Sequence, residues 1–394
     1  MLTDRGWAAL GATLALLVLW VALGEPELLS IGLLLAVATT TAFVFVRRSN
    51  PSVSVTRHLS PNLVHEGEQT VVEAALTNVG ARRVWNLTAE DEVAGLGSAR
   101  FAAARLAPDE TATATYQILC KPRGIYDVGP LQVSVSDPLR LAERSRLVGQ
   151  SDRLIVYPSV EQLSGLPVLR GLDPSMYASQ PEFSHRGGED FYTLRQYQTG
   201  DDLRRVHWPS TAKLDELMIR QLETPWQSRA LVFFDPRSSS FDSAEAFEKA
   251  VRGAASVIRH LLASGFDADL WAGGAVISSA EPGSYAKSME TLAGVQPAED
   301  LDLRASALRL QNGGRGGALV IVSGTPDDEL LAVAQLLTRN FASTLLMSVA
   351  QHISPNVAGF QRGGTLTMAI TPDGSWAKAW LDATKAAWPT VSAG

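Results

Sequence analysis

The chain has 394 residues and a net charge of −7, with acids and bases interspersed and no long basic tract. That distribution excludes a nucleic-acid surface, which needs a clustered cationic face. A single cysteine, Cys120, excludes an intramolecular disulfide and a cysteine-based zinc site, and it fits a reducing compartment.

Two uncharged apolar runs come first, Gly6 to Gly24 and Leu28 to Val46, split by Glu25-Pro26-Glu27. Each approaches the ~20 residues a helix needs to cross a bilayer core. Residues 1–48 therefore read as a transmembrane hairpin with spans at 6–24 and 28–46. A secretory signal is the other reading of the first run, but its apolar region should be only about 7–15 residues and end at a small-residue cleavage site. Arg5 precedes the first span, Arg47 and Arg48 follow the second, and the connecting loop carries only carboxylates. The positive-inside rule then predicts a two-span cell-membrane protein with both ends in the cytoplasm.

The chain beyond Arg48 is long enough for two folded units at roughly 100–200 residues per domain. Residues 51–158 read as all-β. Val53 to Thr56, Thr70 to Asn78, Trp85 to Glu90, Thr113 to Cys120 and Leu131 to Ser136 alternate apolar and polar, and turn residues such as Ala107-Pro108-Asp109 punctuate them. Short strands without helical pattern between them predict an immunoglobulin-like sandwich, with an edge-paired accessory barrel as the rival. Residues 159–227 read as a linker.

From residue 228 to 394 the period changes. Arg229 to Phe234 is a continuous apolar run of the kind that forms a parallel strand buried on both faces. A helix comes next, with Ser243 as N-cap, Phe247, Val251, Ala254, Ile258 and Leu261 on one face, and Gly265 as the stop. Strands at Ala268 to Trp271, Ala318 to Ser323, Ser343 to Val349 and Thr365 to Thr371 then alternate with helices at Tyr285 to Leu292, Leu301 to Leu310, Asp328 to Thr338 and Ser375 to Trp388. This alternation predicts an open, doubly wound α/β sheet, whose ligands bind beyond the carboxyl ends of the strands.

Asp235 ends the first of those strands. Asp235 and Ser239 fit the Asp-x-Ser-x-Ser pattern of the metal-ion-dependent adhesion loop, so the segment resembles that of von Willebrand factor A domains. Arg237 stands where the first serine ligand belongs, and a guanidinium cannot coordinate a hard cation. After the later strand, Val322-Ser323-Gly324-Thr325 supplies no second carboxylate, and Asp327 and Asp328 come too late. The expectation is an Asp235–Arg237 ion pair closing a vestigial site with no cofactor, with a magnesium ion held by the loop as the alternative.

Before that domain, residues 195–213 run RQYQTGDDLRRVHWPSTAK. This resembles the signature of the bacterial family called domain of unknown function fifty-eight, Arg-x-Tyr-x-x-Gly-Asp-x-x-Arg-x-Ile-x-Trp-x-x-Ser-Ala-Arg. Arg195, Tyr197, Gly200, Asp201, Arg204 and Trp208 match outright, while Val206, Thr211 and Lys213 are conservative departures. The resemblance implies the same order of parts along the chain. It further implies association with a MoxR-type AAA+ ATPase and with membrane proteins bearing transglutaminase-like domains. On its own physics, Gly200-Asp201 is a turn. Arg195 and Arg204 suit either internal ion pairs or a partner's carboxylates.

Catalytic motifs are absent: there is no Gly-x-Ser-x-Gly elbow, no phosphate loop and no His-Glu-x-x-His, and Gly313 to Gly317 lacks the strand and helix that a dinucleotide loop requires. Two functions remain. One is a membrane-tethered interaction module or adaptor serving an ATPase in the assembly or maturation of envelope-associated proteins. The alternative is a hydrolase or transferase site in the signature cleft built on Asp201, His207 and Asp235, with Ser210 or Thr211 beside the histidine.

Overall fold

The computed structural model describes residues 1–49, 51–166, 192–197, 206–214, 216–222, 229–310, 317–352 and 354–387. The chain divides into two compact units, residues 1–159 and 160–394.

In the first unit, α1 (Asp4–Leu23) and α2 (Pro26–Arg48) form an antiparallel hairpin. At 20 and 23 residues, and about 1.5 Å of rise per residue, both are long and apolar enough to cross a membrane. Thr3 caps α1 by accepting the Gly6 amide. Gly24 ends α1 in the left-handed region, and Pro26 starts α2 where its missing N–H costs nothing. The helices approach closely because α2 presents small residues: Gly32 meets Leu16 and Leu17, and Thr39 and Ala42 are buried.

The hairpin is joined to the β-rich part through an elbow. Leu2 bridges to Ala142, and the Thr3 amide donates to Leu141 O at 3.0 Å. A Cβ on Gly6 would lie 2.0 Å from that same carbonyl oxygen, so only glycine admits the contact. Ala42, Val46 and Ala142 close the joint as a small apolar cluster with Leu2 and Leu141.

The β-rich part is a two-sheet sandwich. One sheet orders β1 (Val53–Ser60), β3 (Gln69–Asn78) and β6 (Thr111–Leu119). The other orders β2 (Leu63–His65), β10 (Asp152–Tyr157), β7 (Gly124–Val128), β4 (Val84–Val93), β8 (Leu131–Ser136) and β9 (Glu143–Val148), with β5 (Gly97–Leu106) paired to β4. Inward residues of both sheets, Val53 and Leu76 from one and Leu87, Val133 and Val135 from the other, share a core. The expected strand Leu131 to Ser136 forms as β8, the other four expected strands form as longer ones, and β2, β5, β7, β9 and β10 escaped that reading.

One buried ion network stitches the two sheets together. Arg57 of β1, its side chain 2% exposed, forks onto Asp91 of β4 at 2.7 and 2.9 Å. It also reaches Asp152 of β10 at 2.8 Å and the carbonyls of Val128 and Gln150. The Tyr116 hydroxyl donates to Asp91 at 2.7 Å, and burial followed by that carboxylate pushes its pKa upward. Replacing Arg57 by Ala strands the Asp91 charge in the core. The expected loss is about 3–5 kcal/mol, read as a lower denaturant midpoint of the full chain in detergent.

The second unit contains the parallel sheet β14 (Asp267–Trp271), β13 (Arg229–Phe234), β15 (Ala318–Ser323), β16 (Ser343–Val349) and β17 (Leu366–Ile370), in that order. Leu231, Phe233, Leu319 and Ile321 face α6 (Leu303–Leu310), α7 (Asp328–Thr338) and α8 (Val357–Arg362). On the opposite face Phe234 packs edge-on against Phe247 of α4 (Ala244–Ala263), with ring centroids 5.7 Å apart. The expected N-cap Ser243 accepts the Ala246 amide. Helices α5 (Ser284–Gly294) and α9 (Trp376–Ala387) belong to the same unit.

Two parts of the expected linker carry structure. Residues 160–166 lie along α4 and α9: the Glu161 carboxylate accepts from Lys249, Ser375 and the Ala377 amide, and Gly165 O accepts from Trp380 Nε1 at 2.8 Å. Burial works against the charge of Glu161, but these donors outweigh it and hold its carboxyl below the usual range. Farther on, β11 (Tyr192–Gln196) and β12 (Met218–Leu222) form an antiparallel pair flanking α3 (Trp208–Leu214).

Candidate functional site

The strand order places β13 and β15 side by side while their connections leave in opposite directions, one toward β14 and the other toward β16. This is the switch point at which open α/β sheets bind ligands. Asp235 follows β13 here, wholly buried, and Ser323 ends β15 beside it.

Arg237 fills the site. Its side chain is only 6% exposed and forks onto Asp235, with Nε to Oδ1 and Nη2 to Oδ2 both at 3.0 Å. The outer edge of the guanidinium forks onto Asp327 at 2.8 and 3.0 Å, and Nη1 also reaches Glu329 at 2.7 Å. These five contacts use all five N–H donors of the group. The Arg237 amide and the Ser240 and Ser323 hydroxyls donate to Asp235 as well, at 3.0–3.1 Å.

The loop geometry explains how the charges meet. Residues Ser238–Ser240 wind into a 3-10 turn, which aims Ser240 inward and leaves Ser239 exposed. The Thr325 amide donates to Ser240 O at 2.6 Å, and a Cβ on Gly324 would stand 1.9 Å from that oxygen. That close crossing turns the chain after β15 back toward Arg237. Asp327, the N-cap of α7, then accepts the Leu330 amide at 2.8 Å while facing the guanidinium.

Burial alone would lower the pKa of Arg237, but hydrogen bonds and charge from Asp235 and Asp327 outweigh it and raise the pKa further. For Asp327, burial favours the neutral acid; Arg237 and the Leu330 amide win and hold its carboxyl below the usual range. The inner pair dominates energetically. Asp235 has no access to water, whereas Asp327 and Glu329 are 45% and 41% exposed and contribute at most about 1 kcal/mol each.

Two expectations need correction. Ser239 is not the serine at the site; Ser240 and Ser323 are, because the turn advances the inward position by one residue. Asp327 does not come too late; it returns as a helix cap, a role that its place before Asp328-Glu329-Leu330-Leu331 advertised. The residues present do not fit a divalent ion, since a guanidinium holds the position that oxygen ligands would share. Among the described residues no group of three or more His, Cys, Asp or Glu side chains is arranged to hold a metal ion.

The signature is only partly visible. Arg195 lies in β11 opposite Ile219, the Tyr197 amide donates to Leu217 O at 2.8 Å, and Trp208 is 67% exposed. Gly200, Asp201 and Arg204 lie outside the described residues, as does the Gly313 loop up to residue 316. His207 Nδ1 sits 2.8 Å from Ser210 Oγ and accepts the Ser210 amide at 3.3 Å, which caps α3. Both described members of the supposed catalytic set thus have local structural work.

One comparison with known proteins covers this region. A sequence model of the family described as "Protein of unknown function DUF58" matches residues 193–337, from β11 through the Asp235 loop to α7. The "Uncharacterized protein YeaD" of Bacillus subtilis (strain 168) is 29% identical over 158 residues, which is 40% of this chain and 38% of that protein's length. Among solved structures, the CARDB domain of PF1109 from Pyrococcus furiosus covers 28% of this chain and 96% of its own, at 17% identity and a TM-score of 0.22. Red sea bream transglutaminase covers 25% of this chain and 15% of its own, at 16% identity and a TM-score of 0.19.

If Arg237 is the site's built-in cation, Arg237→Ala strands Asp235 and should cost about 3–5 kcal/mol of stability. Arg237→Ser restores a hydroxyl at that position, and magnesium should raise its thermal midpoint. Calorimetric titration of the wild type with magnesium or manganese should show no binding heat, and a wild-type response would refute the assignment.

Proposed function

We propose that this protein is a membrane-tethered adaptor whose α/β domain, of the von Willebrand factor A-like type, is a docking platform at the cytoplasmic surface. Its partner is a MoxR-type AAA+ ATPase, and the pair acts in assembly or maturation of envelope-associated proteins. A transglutaminase-like membrane protein is a second candidate partner. The observation that carries this reading is the Arg237 closure. The position where an α/β sheet would hold a ligand is occupied by the protein's own guanidinium, so what remains for recognition is the surface around it. That surface is acidic: Asp327 and Glu329 are partly exposed, and Asp328 is exposed.

The likeness to the signature family supports the ATPase partner, and the immunoglobulin-like sandwich between anchor and platform suits a spacer. The anchor reading rests on α1 and α2, which have the length and composition of spans. Arg47 and Arg48 in the last turn of α2 favour the cytoplasmic orientation.

Orientation is tested with single thiols in intact cells. An impermeant maleimide should label Glu25→Cys and leave Ser52→Cys untouched; the reverse pattern would invert the topology. Docking is tested by charge reversal. Asp328→Lys should sharply reduce recovery of the ATPase from a detergent extract, identified by mass spectrometry, at an unchanged thermal midpoint. Arg204→Glu reports on the signature: loss of midpoint together with partner would make that segment architectural. Wild-type recovery by both variants would remove the platform reading.

A further inference from the structure

The elbow that joins the hairpin to the sandwich also shapes a surface. Asp137 is buried and organises a tight turn, its Oδ2 accepting the Leu139 amide at 2.8 Å and its Oδ1 the Ala142 amide at 2.7 Å. Arg140 adopts a φ of +54°, and Leu139 projects outward, 61% exposed. Because Leu141 and Ala142 pair with Thr3 and Leu2, this turn is held level with the start of α1 and the end of α2. Leu139 therefore stands at the depth where the two helices would leave a bilayer.

Cations gather at the same level. Arg5 begins α1, Arg47 and Arg48 end α2, and Arg140 and Arg144 flank the elbow, all of them exposed; Arg144 Nη1 lies 3.5 Å from Arg47 O. Asp4 and Glu143 are the carboxylates among these positions, so positive charge prevails. None of the five arginines forms an ion pair among the ion pairs of the described residues. An exposed leucine beside unpaired guanidiniums suits a headgroup layer, where apolar area meets acyl chains and Arg meets phosphate.

We propose that the 137–142 turn lies in the headgroup region of the leaflet and that Arg140 and Arg144, with the arginines of the helix ends, bind anionic phospholipid headgroups. This rests on the anchor reading above. It adds a lipid-selective contact made by the β domain itself.

The test uses the full chain carrying Cys120→Ala, in phosphatidylcholine nanodiscs, with one fluorescent thiol at Leu139→Cys. Discs contain nitroxide-labelled phosphatidylglycerol or, separately, nitroxide-labelled phosphatidylcholine. The expected result is quenching at position 139 with a clear preference for the anionic lipid. That preference should fall by about five-fold for each arginine removed in Arg140→Asn and Arg144→Gln; Asn is chosen because it tolerates the left-handed backbone. A probe at Val37→Cys, midway along α2, reports insertion separately. Quenching at 37 with none at 139, or equal quenching at 139 by the two lipids, overturns this inference alone. Silence at both positions overturns the anchor reading beneath it.

Discussion

A carboxylate buried at the end of a parallel strand is untenable without a countercharge, and the α/β unit is arranged around that constraint. Asp235 has no exposure to water. An ionised group so placed must be paired and hydrogen-bonded, or it neutralises. Arg237, two residues on, supplies the pair. The 3-10 turn, the glycine crossing at residue 324 and the cap of α7 are the geometry needed to deliver the remaining donors and acceptors. The loop that closes β13 and the loop that closes β15 are thereby bound into one body, and the rim of that body is left with surplus negative charge.

Such closure sets what the site is suited to do. Catalysis at a switch point requires a cavity with uncommitted groups, and a metal site requires oxygen ligands around an accessible centre. Here every guanidinium donor is spent within the protein. The same logic governs the sandwich, where Arg57 and Asp91 form a second buried fork. In both places an arginine takes the central position, because a planar fork meets two carboxylates at once where a lysine offers a single point of charge.

The architecture was legible wherever a periodic pattern met a clear punctuation. The run from Arg229 to Phe234, the Ser243 cap and the two long apolar helices stood out because burial on both faces, capping and an unbroken apolar run each leave a local mark. Strands such as β5 and β9 were not legible, since their residues are mostly exposed and carry no clean apolar alternation, even though each pairs with the strand just before it. The Asp235–Arg237 pair is local and could be read directly. Asp327 and Glu329 lie 90 and 92 residues from Arg237; only the fold brings them together, although the N-cap signature of Asp327 was visible. Ser240 was missed for a smaller reason, because counting by alternation fails where the backbone winds into a 3-10 turn.

The elbow has a consequence for biogenesis. Thr3 Oγ1 donates to Arg140 O across 137 positions of chain, and ribosomes add roughly 5–20 residues per second. If α1 and α2 are membrane spans, they emerge before the sandwich and would have to choose their orientation many seconds before their docking partner exists. Whatever directs insertion would then have to reside in the hairpin and its flanking arginines. When the sandwich folds, the joint at Gly6 and Leu141 acts as a latch closing on a decision already taken, and a hairpin that entered the wrong way round would carry its half of the latch to the far side of the bilayer.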